Sequence, residues 1–155
     1  NKKEGAHMES SQQLSIIAAG VFFLTALLTG VWKYLQIRAS ENSEAHPYVD
    51  IAHRASLMYS FAALLLAEFA VISQLPPRVE FWAVAFPVLY FGFAILTYIL
   101  HGALQDTDNQ LRPPFRLGRG TMPAPMMVGF MWSLIVAEIG GFVVLFYGVL
   151  AAILQ

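Results

Sequence analysis

Few side chains in this 155-residue chain can do chemistry, and they fall into two groups. In the first, Ala52-His53-Arg54 stands where the second of four apolar stretches begins, Tyr59 follows six residues after the histidine, and Tyr98 precedes His101 by three. Neutral imidazole can ligate a metal or a haem iron through one nitrogen, or shuttle protons. Arg54 is suited to an anionic group such as a propionate, or it snorkels to headgroup phosphates. The hydroxyls of Tyr59 and Tyr98, inside apolar segments, require partners, although most buried tyrosines only pack. His101 lies one turn from Tyr98 on the same helix face and competes with His53 as a ligand. Either histidine, at a helix end, is equally consistent with an interfacial imidazole bonded to backbone or headgroups. The second group is Glu68 and Glu138, a carboxylate pair able to share a proton or hold a cation if they meet, or two acids hydrogen-bonded across helices for packing alone.

Other chemistries are missing from the sequence. With no cysteine there is no disulfide, iron–sulfur cluster or thiolate. No Gly-rich phosphate loop, Ser/His/Asp arrangement or zinc signature occurs, and no Glu-x-x-His pattern points to a di-iron bundle. A net charge of −1 with no basic stripe argues against nucleic acid.

The elements that must position these residues are membrane spans. The chain is 57% hydrophobic and only 12% charged, with a mean hydropathy of +0.60. Its apolar stretches, Leu14–Leu35, Val49–Ser73, Phe81–Leu104 and Ala124–Leu154, each exceed the ~17 residues that cross ~30 Å of hydrocarbon. The expectation is an all-α, integral membrane four-helix bundle. Residues 8–155 form a single four-span domain, with too little chain left for an appended soluble module. Residues 1–7, ending in Gly5-Ala6-His7 before Met8, read as an expression scar. Leu14–Leu35 is too long for a signal-peptide core and is expected to remain as the first helix.

Both termini and the short Pro76-Pro77 connection then share one side of the membrane. The other side carries two long connections and most of the basic residues: Lys33, Arg38, Arg54, Arg112, Arg116 and Arg119, against Arg78 opposite. The positive-inside rule puts the basic side in the cytoplasm and the termini outside. By helix rise, Tyr59 lies ~9 Å deeper than His53, Glu68 ~22 Å below His53, and Glu138 ~21 Å below Ala124. Tyr98 and His101 reach the level of His53 from the opposite direction, so a His/Arg/Tyr group is expected near the cytoplasmic face. The two glutamates are expected at similar depth nearer the other side, with Gly140-Gly141 permitting close helix approach beside Glu138.

Ala52-His53, Tyr98 forty-five residues on, Gly30-Val31-Trp32 near the end of the first span, and a long Pro/Gly-rich loop before the fourth span together resemble the styrene oxide isomerases. The likeness in spacing covers most of Leu14–Leu154, on short motifs. It implies a homotrimer in the bilayer, of the bacterial inner membrane, with haem b at subunit interfaces. His53 would be the axial ligand to iron, Arg54 a partner for the cofactor, and Tyr98 the group positioning a small apolar epoxide. The implied reaction is redox-neutral isomerisation to a carbonyl, ferric iron acting as a Lewis acid. The family's asparagine six residues after the histidine is Tyr59 in this chain, a bulkier donor in the same role. A second resemblance is to the membrane-associated eicosanoid and glutathione metabolism proteins, implying a glutathione-dependent transferase with Arg54 on a carboxylate. The chain lacks that family's Glu-Arg pair before the histidine and its Asn-x-x-Glu after it. A non-enzymatic membrane scaffold using Glu68 and Glu138 is the third reading.

Overall fold

The computed structural model describes residues 9–154, so the expression-scar reading of residues 1–7 lies outside it. Within that range the chain folds as α1 (Ser10–Ala39), α2 (Pro47–Ile72), α3 (Pro77–Leu104), a two-stranded hairpin of β1 (Arg116–Leu117) and β2 (Gly120–Thr121), and α4 (Ala124–Ile153). All four helices are long and apolar enough to cross a membrane. The fold is an all-α bundle of membrane-spanning character, and contact with lipid follows from its outer surface.

Each expected span lies largely within a helix whose ends the local chemistry sets. Proline takes the first position of α2 and α3, where its missing N–H has no intrahelical partner to lose. At α2 the His46 ring also accepts the Tyr48 N–H at 3.3 Å. That start matters for the site. His53 lies six residues beyond Pro47, ~9 Å inside the helix rather than at its edge.

The interior and exterior are the reverse of a water-soluble bundle. Inside are small and weakly polar residues, among them Ala26, Ala52, Ser56, Ser60 and Ala63. Outside are Leu24, Leu28, Phe61, Leu65, Val136 and Ile139, all exposed. Lipid gives helices no hydrophobic reason to associate, so close backbone approach through small residues holds them together. α1, α2 and α3 form a mutually packed triangle, and α4 lies against α3 and α2.

Two devices tie the bundle. Pro87 cannot donate to the Ala83 carbonyl, and α4 closes over that gap at Gly141. A Cβ there would stand 2.6 Å from both Ala83 O and Pro87 Cγ, so only glycine fits without movement. Near the N-terminal end, Ser11 Oγ donates to Glu80 Oε1 at 2.5 Å, joining the first turns of α1 and α3 with both residues buried.

Candidate functional site

His53 turns toward α1. Its Nδ1 lies 2.8 Å from the Ala26 carbonyl oxygen. A carbonyl only accepts, so in the neutral ring Nδ1 carries the proton and Nε2 presents its lone pair. The ring occupies the space that Gly30 leaves, one turn after Ala26. A Cβ at Gly30 would come within 2.9 Å of Cε1 and 3.1 Å of Nδ1. His53 remains half-buried, held through Nδ1. This is the arrangement in which metal-binding histidines are usually held: one ring nitrogen donating to a fixed acceptor, the other free.

Beside it, Asp50 collects two cations. Lys33 Nζ lies 2.5 Å from Oδ1 and Arg54 Nη2 lies 2.8 Å from Oδ2, the latter along one turn of α2. Arg54 is thus exposed but already paired within the chain.

Tyr59 and Tyr98 face elsewhere. Tyr59 stacks on Phe91 of α3 with centroids 4.4 Å apart. Tyr98 stacks on Tyr48 at 6.0 Å. His53 and Tyr59 are six residues apart, which rotates them ~120° from one another around α2. Tyr59 also lies about 9 Å further along α2 than His53, and neither tyrosine is brought to the flank of α2 that His53 occupies.

The two glutamates do not pair within the chain. Glu138 borders a cavity of about 280 Å3 among Leu65, Leu66, Pro87, Phe91 and Phe142, and its Oε1 is buried without a hydrogen-bond partner. Glu68 is exposed on the outside of α2. Depths counted from separate helix starts made the two appear level; Glu138 in fact meets α2 at Ala62–Leu66, and Glu68 lies beyond that on another face.

The most completely built polar pair was not expected from sequence. His101 Nδ1 lies 2.8 Å from Asp106 Oδ1, with the side chains only 6% and 5% exposed. Gln105 makes this contact possible. It adopts the left-handed conformation at the end of α3 (φ 48°), its N–H closing on the His101 carbonyl, and so turns the next residue back over the helix. Asp106 Oδ2 accepts the Gly118 N–H at 2.5 Å from the hairpin. Burial alone would raise the Asp106 carboxyl, but the His101 and Gly118 hydrogen bonds outweigh it and hold the group below the ordinary carboxylate range. Tyr48 leans on the His101 ring at 5.1 Å, and its hydroxyl accepts the Gln110 N–H at 2.5 Å. His101 is therefore committed to a structured loop and not to the His53 flank. Asp106 and Gln110 lie in the long loop, where hydropathy carries no signal. A helix-ending turn followed directly by an acid is the one cue the sequence offers.

No group of three or more His, Cys, Asp or Glu side chains capable of holding a bare metal ion occurs among the described residues. Comparison with protein-family models, with curated proteins and with solved structures finds no match to this chain.

Proposed function

We propose that this chain is a membrane-embedded haem b protein in which His53 would hold the iron, acting as a redox-neutral isomerase of small apolar epoxides. The observation that carries the reading is the hydrogen bond from His53 Nδ1 to Ala26 O, which orients a half-buried ring and leaves Nε2 without a hydrogen-bond partner among the described residues. The residues present are compatible with the group: the space at Gly30 lets the ring pack against α1, and Nε2 would be the atom that holds the iron. Ferric haem held there would supply a Lewis acid for an epoxide oxygen.

The chain's own residues do the rest. Ala26 and Gly30 hold the imidazole in one tautomer and one orientation. Tyr59 and Tyr98 offer hydroxyl donors to orient the epoxide, and the surrounding apolar side chains keep water from the opened ring. One carbon–oxygen bond breaks, a hydride or alkyl group moves to the neighbouring carbon, and a carbonyl forms with no electrons gained or lost. Since His53 and the tyrosines lie on different flanks of α2, a neighbouring copy completes the site, in keeping with a homotrimer. Lys33, Arg38 and the basic long loop set that end in the cytoplasm, with both termini outside, as in a bacterial inner-membrane protein. The transferase reading is weaker, since Arg54 is already engaged by Asp50.

Detergent-purified protein expressed with ample haem should show a Soret band that His53→Ala abolishes and His101→Ala retains. Colourless protein under those conditions overturns the proposal. The same preparation should convert an aryl epoxide to the aldehyde, with Tyr98→Phe slowing turnover at unchanged haem content.

A further inference from the structure

Beneath the hairpin lies a second chamber that the His53 site does not use. Its volume is about 240 Å3, and it is walled by Leu100 of α3, Leu117 of β1, and Met122, Met126, Met127 and Phe130 leading into and along α4. A cavity of ~150 Å3 lined by apolar side chains suffices for benzene, so this one accommodates a single ring with a short substituent. Methionine sulfur makes favourable contacts with ring edges, and its flexible chain adapts to the shape it meets. The walls therefore favour an aromatic occupant.

One titratable group lines this apolar space. His101 is 4% exposed and borders the chamber. Its Nδ1 is taken by Asp106, and no hydrogen-bond partner meets Nε2 among the described residues. Asp106 is held ionised by the Gly118 N–H as well as by the histidine. A carboxylate only accepts, so Nδ1 is the donor and Nε2 of the neutral ring is an acceptor awaiting a donor. The roof is fixed rather than loose. Gly118 takes φ +60° at the first position of a two-residue turn, the geometry that glycine permits in a type II′ hairpin. Met122 N–H bonds to Phe115 O at 2.7 Å, and Gln110 N–H to the Tyr48 hydroxyl, so both sides of the loop are anchored. A mostly apolar chamber bordered by the His101 ring, with Thr97 and Gln110 as its other polar residues, matches the general form of a small-molecule site.

We propose that the chamber under the 116–121 hairpin binds a small aromatic alcohol or phenol, its ring among the methionines and its O–H donating to His101 Nε2. The site needs neither His53 nor haem, so it stands or falls separately from the isomerase reading.

The test uses full-length His53→Ala protein in nanodiscs, which removes the haem site from the measurement, with 4-fluorophenol as probe and fluorobenzene as the control that lacks a donor. Expected is saturable 4-fluorophenol binding by fluorine NMR, at least 10-fold tighter than fluorobenzene, with a shift of the His101 15Nε2 resonance seen only with the phenol. His101→Phe should weaken phenol binding 10-fold or more. Met127→Trp, which fills the chamber without touching the Asp106 pair, should do the same and guards against a variant that disturbs the loop. Equal affinity for the two probes shows partition into apolar space and overturns the proposal. So does an unmoved 15Nε2 resonance, the result if only water occupies the chamber, or unchanged phenol binding by Met127→Trp.

Discussion

His53 and His101 solve the same problem in opposite surroundings. Both use Nδ1 on a fixed oxygen and leave Nε2 free. For His53 the acceptor is a neutral carbonyl in the neighbouring helix, and the ring stays half-open on the bundle's flank. For His101 it is a carboxylate supplied by the residue just past the end of its own helix, and the ring is enclosed beneath a hairpin. The difference lies in what each can receive. The half-buried His53 ring is where the proposed planar group would be held. An enclosed Nε2 admits only what fits the chamber, and the charge on Asp106 makes it the stronger acceptor of the two.

Removing the enclosed pair's anchor should have the largest effect. Asp106→Ala leaves the His101 N–H and the Gly118 N–H without their acceptor, a loss of about 3 kcal/mol for charge-assisted bonds. Amide exchange across 116–121 should quicken roughly 100-fold, while any Soret band stays unchanged. If exchange is unaltered, the hairpin is held by something other than Asp106.

The open site should respond next. Gly30→Ala places a methyl against the His53 ring at 2.9 Å and forces it off the Ala26 carbonyl. Loss of such a supporting bond lowers metal affinity by about 10- to 100-fold, so haem titration should show weaker binding with the hairpin's exchange untouched. Unchanged affinity would separate ring orientation from haem binding.

Tyr48→Phe is the finer probe, because it removes one acceptor from the Gln110 N–H and leaves the ring contact with His101. A loss of about 1 kcal/mol is expected, seen as several-fold faster exchange near Gln110. Faster exchange near Gly118 of the same size would mean that the two anchors act as one.

The smallest effect is with acid. The Asp106 carboxyl is held below its ordinary value of 3.8, so the stability it contributes is complete above 3.8 and is lost only as pH falls through the lowered value. The Gly118 amide resonance should therefore titrate with a midpoint below 3.8. A midpoint at or above it would mean that burial outweighs the two hydrogen bonds.

How much of this was legible from residues alone differs between the two histidines. Gly30, Ala52-His53 and Tyr98 were visible as motifs, and the level that His53 shares with Tyr98 follows from helix rise. Their separation onto different flanks of α2 does not, because it depends on which neighbour each face meets. Asp106 lies in a stretch of Asp, Asn and Gln that reads as a solvated loop. A single left-handed residue, Gln105, converts it into a buried carboxylate. Two-residue strands are likewise too short to show alternation, so Gly118-Arg119-Gly120 read as a break rather than a hairpin.

By itself the sequence determined the four spans, their helical nature, the length of each connection and the side that gathers positive charge. Those follow from hydropathy, proline and charge, which act within one segment at a time. Tertiary structure alone decided which nitrogen each histidine leaves free and which acid stands unpaired, because those outcomes rest on contacts between residues as far apart as Ala26 and His53.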